Sequence, residues 1–277
     1  MIASKLLYMI MFRANNKTLS AIPALERGLD VLERINAVDT PLTLTAIARL
    51  CGRSVSELQR VVACLLQRGY LFRDANGAYR ISSKLFRMGQ ACTLFQDLVA
   101  RTRIPMRTFA QRTGEAVHLS VLTEDRVLIL ANVPGPGYLQ LGVTVGSLHV
   151  PTISASGRVL LAGMTAADLE AYVRRNAMQR PQVKSLETQL ARIRRRGYEY
   201  VASHLYRGVY DLTLAVTAPD GECVAALACS FLRSHQNSAG DRTRTVPLLL
   251  GELRRCARQI TATYQTDRAD KKKELLL

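Results

Sequence analysis

Three short helical patterns separated by tight turns, with a hairpin signal directly behind them, limit what this chain can fold into more than any other feature. Across residues 24–37, Leu25, Leu29, Leu32 and Ile35 recur at helical spacing, with Glu26, Arg27, Glu33 and Arg34 on the other faces. Asp39-Thr-Pro-Leu breaks that helix, and Thr43 can cap a short one carrying Leu44, Ile47, Ala48 and Leu50. Cys51-Gly52-Arg53 forms a tight turn. Ser54 or Ser56 then opens a third helix with Leu58, Val61, Val62, Leu65 and Leu66 inward and Gly69 at its C-cap position. Tyr70-Leu-Phe-Arg and Ala78-Tyr-Arg-Ile read as strands joined by Asp74-Ala-Asn-Gly, where Asn76-Gly77 supplies the positive φ of a hairpin. Three helices and a hairpin make a winged helix-turn-helix, whose third helix can lie in the DNA major groove while its predecessor crosses the backbone.

The residues of the third helix that its apolar face does not need are the candidates for base reading. Gln59 suits adenine and Arg60 suits guanine, whereas Ser54 and Ser56 suit phosphate oxygens. Thr43 and Arg53, at the start of the second helix and in the turn, complete the set on the helices. Glu57 is the awkward member, because a carboxylate repels phosphate: it accepts from cytosine N4, pairs with Arg53 or Arg60, or points to solvent. Arg73 and Arg80 flank the wing, placed to reach phosphates or the minor groove or to stand as solvated strand residues.

A length of 277 residues suits roughly two domains of about 100–200 residues each. The net charge of +16 attracts polyanions, but it divides into +7 over residues 1–90 and +9 over 91–277, so charge does not locate the binding surface. No apolar run approaches the roughly 18 residues of a membrane span. Residues 1–20 are expected to be a disordered leader. The six cysteines show no C-x-x-C pair and read as reduced, buried thiols, which together with the rest indicates a cytoplasmic protein.

Residues 21–82 hold the winged helix-turn-helix and residues 83–103 a linker helix suited to dimerisation. Residues 104–265 form a second domain, and 266–277 a basic tail. Within the second domain the expected elements are a helix at 104–113, strands at 116–122, 126–133 and 139–145, and helices at 158–164, 166–175 and 186–196. Strands at 198–203, 211–217 and 223–231 and a closing helix at 246–264 follow. Strands joined by short turns make the sheet largely antiparallel and the class α+β.

The opening Ala24-Leu-Glu-Arg-Gly-Leu-Asp-Val-Leu, Leu44-Thr-Ala-Ile-Ala and Gly69-Tyr-Leu-Phe-Arg-Asp-Ala-Asn-Gly-Ala-Tyr-Arg-Ile resemble the winged helix of the isocitrate lyase regulator (IclR) family of bacterial transcription factors. Ser56 and Arg60 fall on the Ser and Arg of that family's recognition-helix pattern, but Ser54-Val55-Ser56-Glu57 replaces its usual Pro-Lys-Ser-Thr. Gly114-Glu-Ala-Val-His-Leu-Ser-Val-Leu, Val150-Pro-Thr-Ile-Ser-Ala-Ser-Gly-Arg-Val-Leu-Leu-Ala, Arg196-Gly-Tyr and Asp220-Gly-Glu-Cys-Val-Ala-Ala-Leu-Ala-Cys-Ser resemble successive blocks of its effector-binding domain. The resemblance implies a curved antiparallel sheet of GAF/profilin-like form, double-stranded operator DNA as partner, and a homodimer or tetramer. It also implies a small organic acid or aromatic metabolite as effector. It places a ligand site at Ser154, Ala155 and Ser156, where backbone amides meet a carboxylate or an ordinary N-cap forms. Asp211 stands where many members have Cys, and Ser230 on a strand position able to share that cavity. An ionised Asp211 opposes an anionic ligand and favours a hydroxyl, amine or amide unless an Arg neutralises it. His204 and Tyr206 read as a surface loop in preference to pocket groups.

Catalytic signatures are weak. There is no G-x-S-x-G, P-loop or H-E-x-x-H, and His118 and His149 sit among strand-like apolar residues as structural histidines. No catalytic residue, metal or cofactor is expected. The competing readings are a sensor that acts through protein contacts, having lost operator recognition through Val55 and Glu57, and, further behind, an enzyme.

Overall fold

The computed structural model describes residues 22–90, 93–123, 125–137, 141–204, 206–232 and 246–274. The expected leader lies outside them. The described residues form two compact units that divide between Gln96 and Asp97.

The first unit begins with helices α1 (Pro23–Asn36), α2 (Leu44–Leu50) and α3 (Val55–Gln67). A hairpin of β1 (Leu71–Arg73) and β2 (Tyr79–Ile81) follows, and then α4 (Ser83–Gln90). Pro23 sits in the first turn of α1, where its missing N–H costs nothing. Thr43 caps α2, its hydroxyl accepting from the Ala46 N–H at 3.2 Å. β1 and β2 are antiparallel, with Phe72 opposite Arg80, and Leu42 exchanges both backbone hydrogen bonds with Tyr79 to widen the wing. Gly77 alone takes the positive φ of the hairpin turn (+80°), while Asp74 Oδ1 accepts from the Asn76 and Ala78 N–H groups. Val31, Ile35, Ile47, Leu58, Val62, Leu65, Leu71 and Tyr79 make the core. One expectation changes here: Leu25 and Leu29 are not core. With Ile22 they form an exposed apolar stripe on the first two turns of α1, because only its later turns, through Val31 and Ile35, reach the core.

The linker expected at 83–103 is helical on both sides of residues 91–92, which lie outside the described residues: α4 precedes them and α5 (Thr93–Thr113) follows. The second continues through Pro105 and takes in the helix expected at 104–113. After α5 the second unit runs β3 (Val117–Thr123), β4 (Arg126–Val133), β5 (Leu148–His149), α6 (Ala155–Ala162), α7 (Ala166–Arg175) and α8 (Arg180–Arg196). It closes with β6 (Glu199–Ala202), β7 (Val209–Thr217), β8 (Cys223–Leu232) and α9 (Val246–Glu274). The six strands form one antiparallel sheet in the order β5-β4-β3-β8-β7-β6.

Several boundaries differ from expectation, α6 among them, which starts at Ala155 and not at 158 because Ser154 caps it. No strand occupies the described part of 139–145. Ser147 closes a turn on Thr144, residues 146–147 exchange backbone hydrogen bonds with Ile129, and only Leu148–His149 joins the ladder against β4. α8 starts at Arg180 because Pro181 falls in its first turn, where a missing N–H breaks no helical hydrogen bond. α9 passes through the segment expected to be a tail, since no Gly or Pro interrupts residues 265–274 and Ala, Lys, Arg and Glu favour helix. Among the cysteines, Cys229 and Cys256 are buried, but Cys64 is exposed on α3, its position falling outside the Leu58–Val62–Leu65 ridge.

Strand alternation sends Asp211 and Thr213 of β7 to the face that α6 covers, and Leu212 and Leu214 to the other face. All eight residues of α6 are buried, its apolar side chains packing with Tyr172, Leu186, Leu190, Ile193, Val127 and Ala226. α9 packs on β7 and is tied to α5 by the Arg112–Glu252 ion pair (2.9 Å) and by Arg101 donating to the Thr263 carbonyl.

The position of α6 depends on Gly157, where an added Cβ would lie 2.3 Å from the Pro151 backbone. Gly157→Ala is expected to destabilise the second unit by about 3 kcal/mol, the upper range of overpacking. Gly251→Ala, with open space around it in α9, is expected to be neutral or stabilising by about 1 kcal/mol. Urea unfolding of both variants checks the contrast.

Candidate nucleic-acid interface and ligand cavity

The start of α3 is closed by a capping box. The Glu57 N–H donates to Ser54 Oγ (3.3 Å), and Glu57 Oε2 accepts from the Ser54 N–H (2.9 Å) and from the Ser54 hydroxyl (2.8 Å). These hydrogen bonds from the Ser54 backbone and side chain hold the Glu57 carboxyl below its ordinary range, with Arg53 a weaker neighbour at 4.0 Å. Of the three alternatives open for Glu57, the pairing with Arg53 is present, and a role not among them dominates. It is a helix cap, and its negative charge is tied to the first turn. The signal was Ser54-x-x-Glu57 itself, and Glu57 is no sign of lost DNA recognition.

With the cap formed, the outer face of α3 is clear. Ser56 and Arg60 point away from the Leu58–Val62–Leu65 ridge, and Gln59 flanks them, all three exposed. Ser56 shares a 3.1 Å hydrogen bond with Ser54. Val55, 40 % exposed at the helix start, adds an apolar surface of the kind that meets a thymine methyl. At the other end, Lys84 donates to the Arg68 carbonyl (2.7 Å) and lies over the Tyr70 ring, which ties α4 to the C-terminus of α3. Arg73 is partly committed to the wing: its Nε–H donates to the Gly77 carbonyl (2.9 Å) and its guanidinium covers Tyr79. Arg80, Arg53 and Thr43 are exposed.

The second unit holds a cavity of about 300 Å³ between the covered face of the sheet and the start of α6. Ser154, Ala155, Ser156, Asp211 and Ser230 all line it. Ser154 caps α6 by accepting from the Gly157 N–H (3.1 Å), leaving the first-turn N–H groups of Ala155 and Ser156 without helical acceptors at the cavity wall. The loop before them is held from below by Arg158, which is buried and donates to the carbonyls of Ile153 (2.8 Å) and Thr152 (3.3 Å). Arg158 also faces Glu199 at 3.5 Å, a carboxylate that accepts from Arg192 at 3.0 Å. Asp211 accepts from the Ser230 hydroxyl at 2.6 Å; burial raises its carboxyl above the usual range, against the opposing pull of Ser230, His204 and Arg158.

His118, His149, His204, Tyr206 and Thr213 also line this cavity, so the expected surface loop at His204 and Tyr206 forms its mouth. Thr213 was legible in principle, two residues from Asp211 on the same strand face. The histidines needed the strand order. His118 is buried and lowered to about 4, by loss of solvent and then by His149; His149 is lowered by burial and then by His204.

A capped, outward-facing helix on a winged helix-turn-helix, joined in one chain to an α+β unit with a polar cavity, defines a DNA-binding transcriptional regulator with a ligand-sensing domain. Comparison with known proteins agrees. Residues 24–75 match the IclR helix-turn-helix domain, and residues 90–262 match the domain described as bacterial transcriptional regulator IclR C-terminal. The HTH-type transcriptional regulator BhcR of Paracoccus denitrificans is 30 % identical over 216 residues, 76 % of this chain and 77 % of that protein. The HTH-type transcriptional regulator XynR of Escherichia coli is 26 % identical, covering 79 % and 89 %. An IclR homologue from Microbacterium hydrocarbonoxydans, solved in complex with 4-hydroxybenzoate, superposes with a TM-score of 0.74 at 22 % identity, covering 88 % of this chain and 99 % of that one. Thermotoga maritima IclR gives 0.67 at 20 %, with the same coverage. This chain belongs to the IclR family of bacterial transcriptional regulators.

Two outcomes follow from the site geometry. Ser54→Ala is expected to cost about 1 kcal/mol and to speed amide exchange in the first turn of α3, while Glu57→Gln, which keeps the box, leaves exchange there unchanged. For His118, the folded value near 4 lies below the ordinary 6.5, so the unfolded chain binds the extra proton between them. Stability attributable to His118 is whole above pH 6.5 and falls as pH drops toward 4, by up to about 1.4 kcal/mol per unit. Urea unfolding across that window should show a flatter pH slope for His118→Gln than for the wild type.

Proposed function

We propose that this chain is a ligand-controlled regulator in which Arg60 and Gln59 read base edges, Ser56 and Arg53 contact phosphates, and the cavity beside α6 takes a small-molecule effector. In this reading Ser54 and Glu57 act by presenting α3, Thr43 by capping the helix before it, and Arg73 and Arg80 by holding and charging the wing. The observation that carries the proposal is the cavity. In a chain of this family, Ser154, Ala155, Ser156, Asp211 and Ser230 surround one space of ligand size. The Microbacterium homologue, complexed with 4-hydroxybenzoate, supports a small molecule in this fold.

The working form is a homodimer or a tetramer in the bacterial cytoplasm, with paired winged helices on operator half-sites one DNA turn apart. The exposed Ile22, Leu25 and Leu29 stripe supports a second copy as the partner of α1. No helix among the described residues is long and apolar enough to cross a membrane. The effector acts by binding the DNA-competent and DNA-incompetent states with different affinity, which is all that allosteric control requires.

Selection of bound fragments from genomic DNA, followed by mobility-shift titration at two salt concentrations, tests this reading. Arg60→Ala is expected to cost about 1–3 kcal/mol and to relax preference at one base position. A uniform loss over all sequences would make Arg60 a phosphate contact instead, and no sequence-dependent shift by the wild type would overturn the regulator assignment.

A further inference from the structure

The covered face of the sheet carries a polar row that the family assignment leaves unexplained. Asn132 of β4 pairs with His118 of β3, His118 with Ala228 of β8, Ala228 with Thr213 of β7, and Thr213 with Glu199 of β6. Directly paired residues share a face, so these five form one line across the strands. Three of them, Asn132 Oδ1, Thr213 Oγ1 and Glu199 Oε2, are buried atoms with no hydrogen-bond partner. Such atoms are rare in native interiors and mark the place of a missing partner. Of these three, only Thr213 belongs to the cavity lining, where it, Ala228 and His118 form the buried floor. In the adjacent row Asp211 and Ser230 are paired, with Ser230 occupying only Asp211 Oδ1.

The charge around the cavity decides which ligands fit. Ten of the eighteen described lining residues end in a hydroxyl, imidazole or carboxyl group, none is Lys or Arg, and the one formal charge is that of Asp211. Arg158, a buried cation outside the lining, meets Glu199 and two loop carbonyls and keeps only its Nε–H without a partner, and Arg192 meets the same Glu199. Both arginines thus meet Glu199 and neither lines the cavity, so the lining holds no cation to offset Asp211 or to meet a ligand anion. The free amides at the start of α6 donate to a neutral hydroxyl or carbonyl oxygen as well as to a carboxylate. A volume of about 300 Å³ lies at the small end of ligand sites, which run from roughly 300 to 1,000 Å³.

Resting on the effector reading above, we propose that the cavity takes an uncharged polyhydroxyl compound of monosaccharide or sugar-alcohol size. Asp211 accepts ligand hydroxyls, Thr213 and His118 engage a further hydroxyl over Ala228, and the α6 amides donate to an oxygen at the opposite end. Val127 and Ile129 cover the ligand's C–H surface, and Tyr206 stands at the mouth. A carboxylate on the same carbon skeleton is rejected because it meets Asp211 without a compensating cation.

Isothermal titration of the full-length chain with matched pairs, D-xylose and D-xylonate, D-glucose and D-gluconate, xylitol and mannitol alongside, tests the proposal; 4-hydroxybenzoate is the aromatic-acid control. The expected result is saturable binding of at least one neutral member, at least tenfold tighter than its acid. Thr213→Val and Asp211→Asn should weaken that member, and Asp211→Asn should narrow the gap to the acid. Ala228→Leu, which crowds the cavity floor, should abolish binding and lower the thermal unfolding midpoint, while the DNA shift of the unliganded chain persists and shows the fold intact. Tighter binding of an acid, still abolished by Ala228→Leu, would keep the effector cavity and overturn the ligand class. Binding indifferent to Ala228→Leu would overturn the cavity itself, and failure of every neutral member at millimolar concentration would overturn the proposal.

Discussion

The ligand-sensing unit depends on one close packing contact, that of α6 on the sheet and on the loop before it. A helix with no exposed residue can persist only if its neighbours leave no space and its polar groups are met. Gly157 provides the first condition by letting the Pro151 backbone approach where a methyl group could not fit. Arg158 provides the second, bridging the loop carbonyls of Thr152 and Ile153 to Glu199 on β6. The same arrangement sets the first-turn amides of α6 opposite the Asp211–Ser230 pair across the sheet. The cavity is what remains between a buried helix start and a strand face whose residues at that point are small or polar.

The DNA-binding unit solves a different problem, since its important helix must present an outer face while staying anchored. Its inner ridge is Leu58, Val62 and Leu65, and its start is fixed by the reciprocal bonds of Ser54 and Glu57. Capping ties the Glu57 carboxylate to the first turn, and Ser56, Gln59 and Arg60 stand exposed beside it. Arg73 and Lys84 play comparable parts at the wing and at the far end of α3, where cationic side chains stabilise backbone carbonyls and aromatic faces.

Local patterns made much of this legible. The helices of the first unit, the caps at Thr43 and Ser54, the hairpin, and the strands around His118, Asp211 and Cys223 all follow from periodicity and turn chemistry within a few residues. The errors share a cause in longer range. Leu25 and Leu29 have core periodicity but lie beyond the reach of the core. Residues 139–145 read as a strand, yet the turn between Thr144 and Ser147 delays pairing until Leu148. His118, His149 and Thr213 looked structural or unremarkable because their common cavity exists only once the strand order β5-β4-β3-β8-β7 is known. For Glu57 the pairing with Arg53 was legible, whereas its capping role went unread although the motif is present in plain sequence.

The central claim is that occupation of the cavity and occupation of DNA are coupled in one molecule. The most direct measurement is reciprocal: the affinity of a cavity ligand for the full-length chain, determined by titration with and without saturating selected operator DNA, set beside the operator affinity with and without that ligand. Linkage requires the two ratios to be equal and different from one. A ligand that binds the chain equally well in the presence and absence of operator would contradict the account, whatever its affinity.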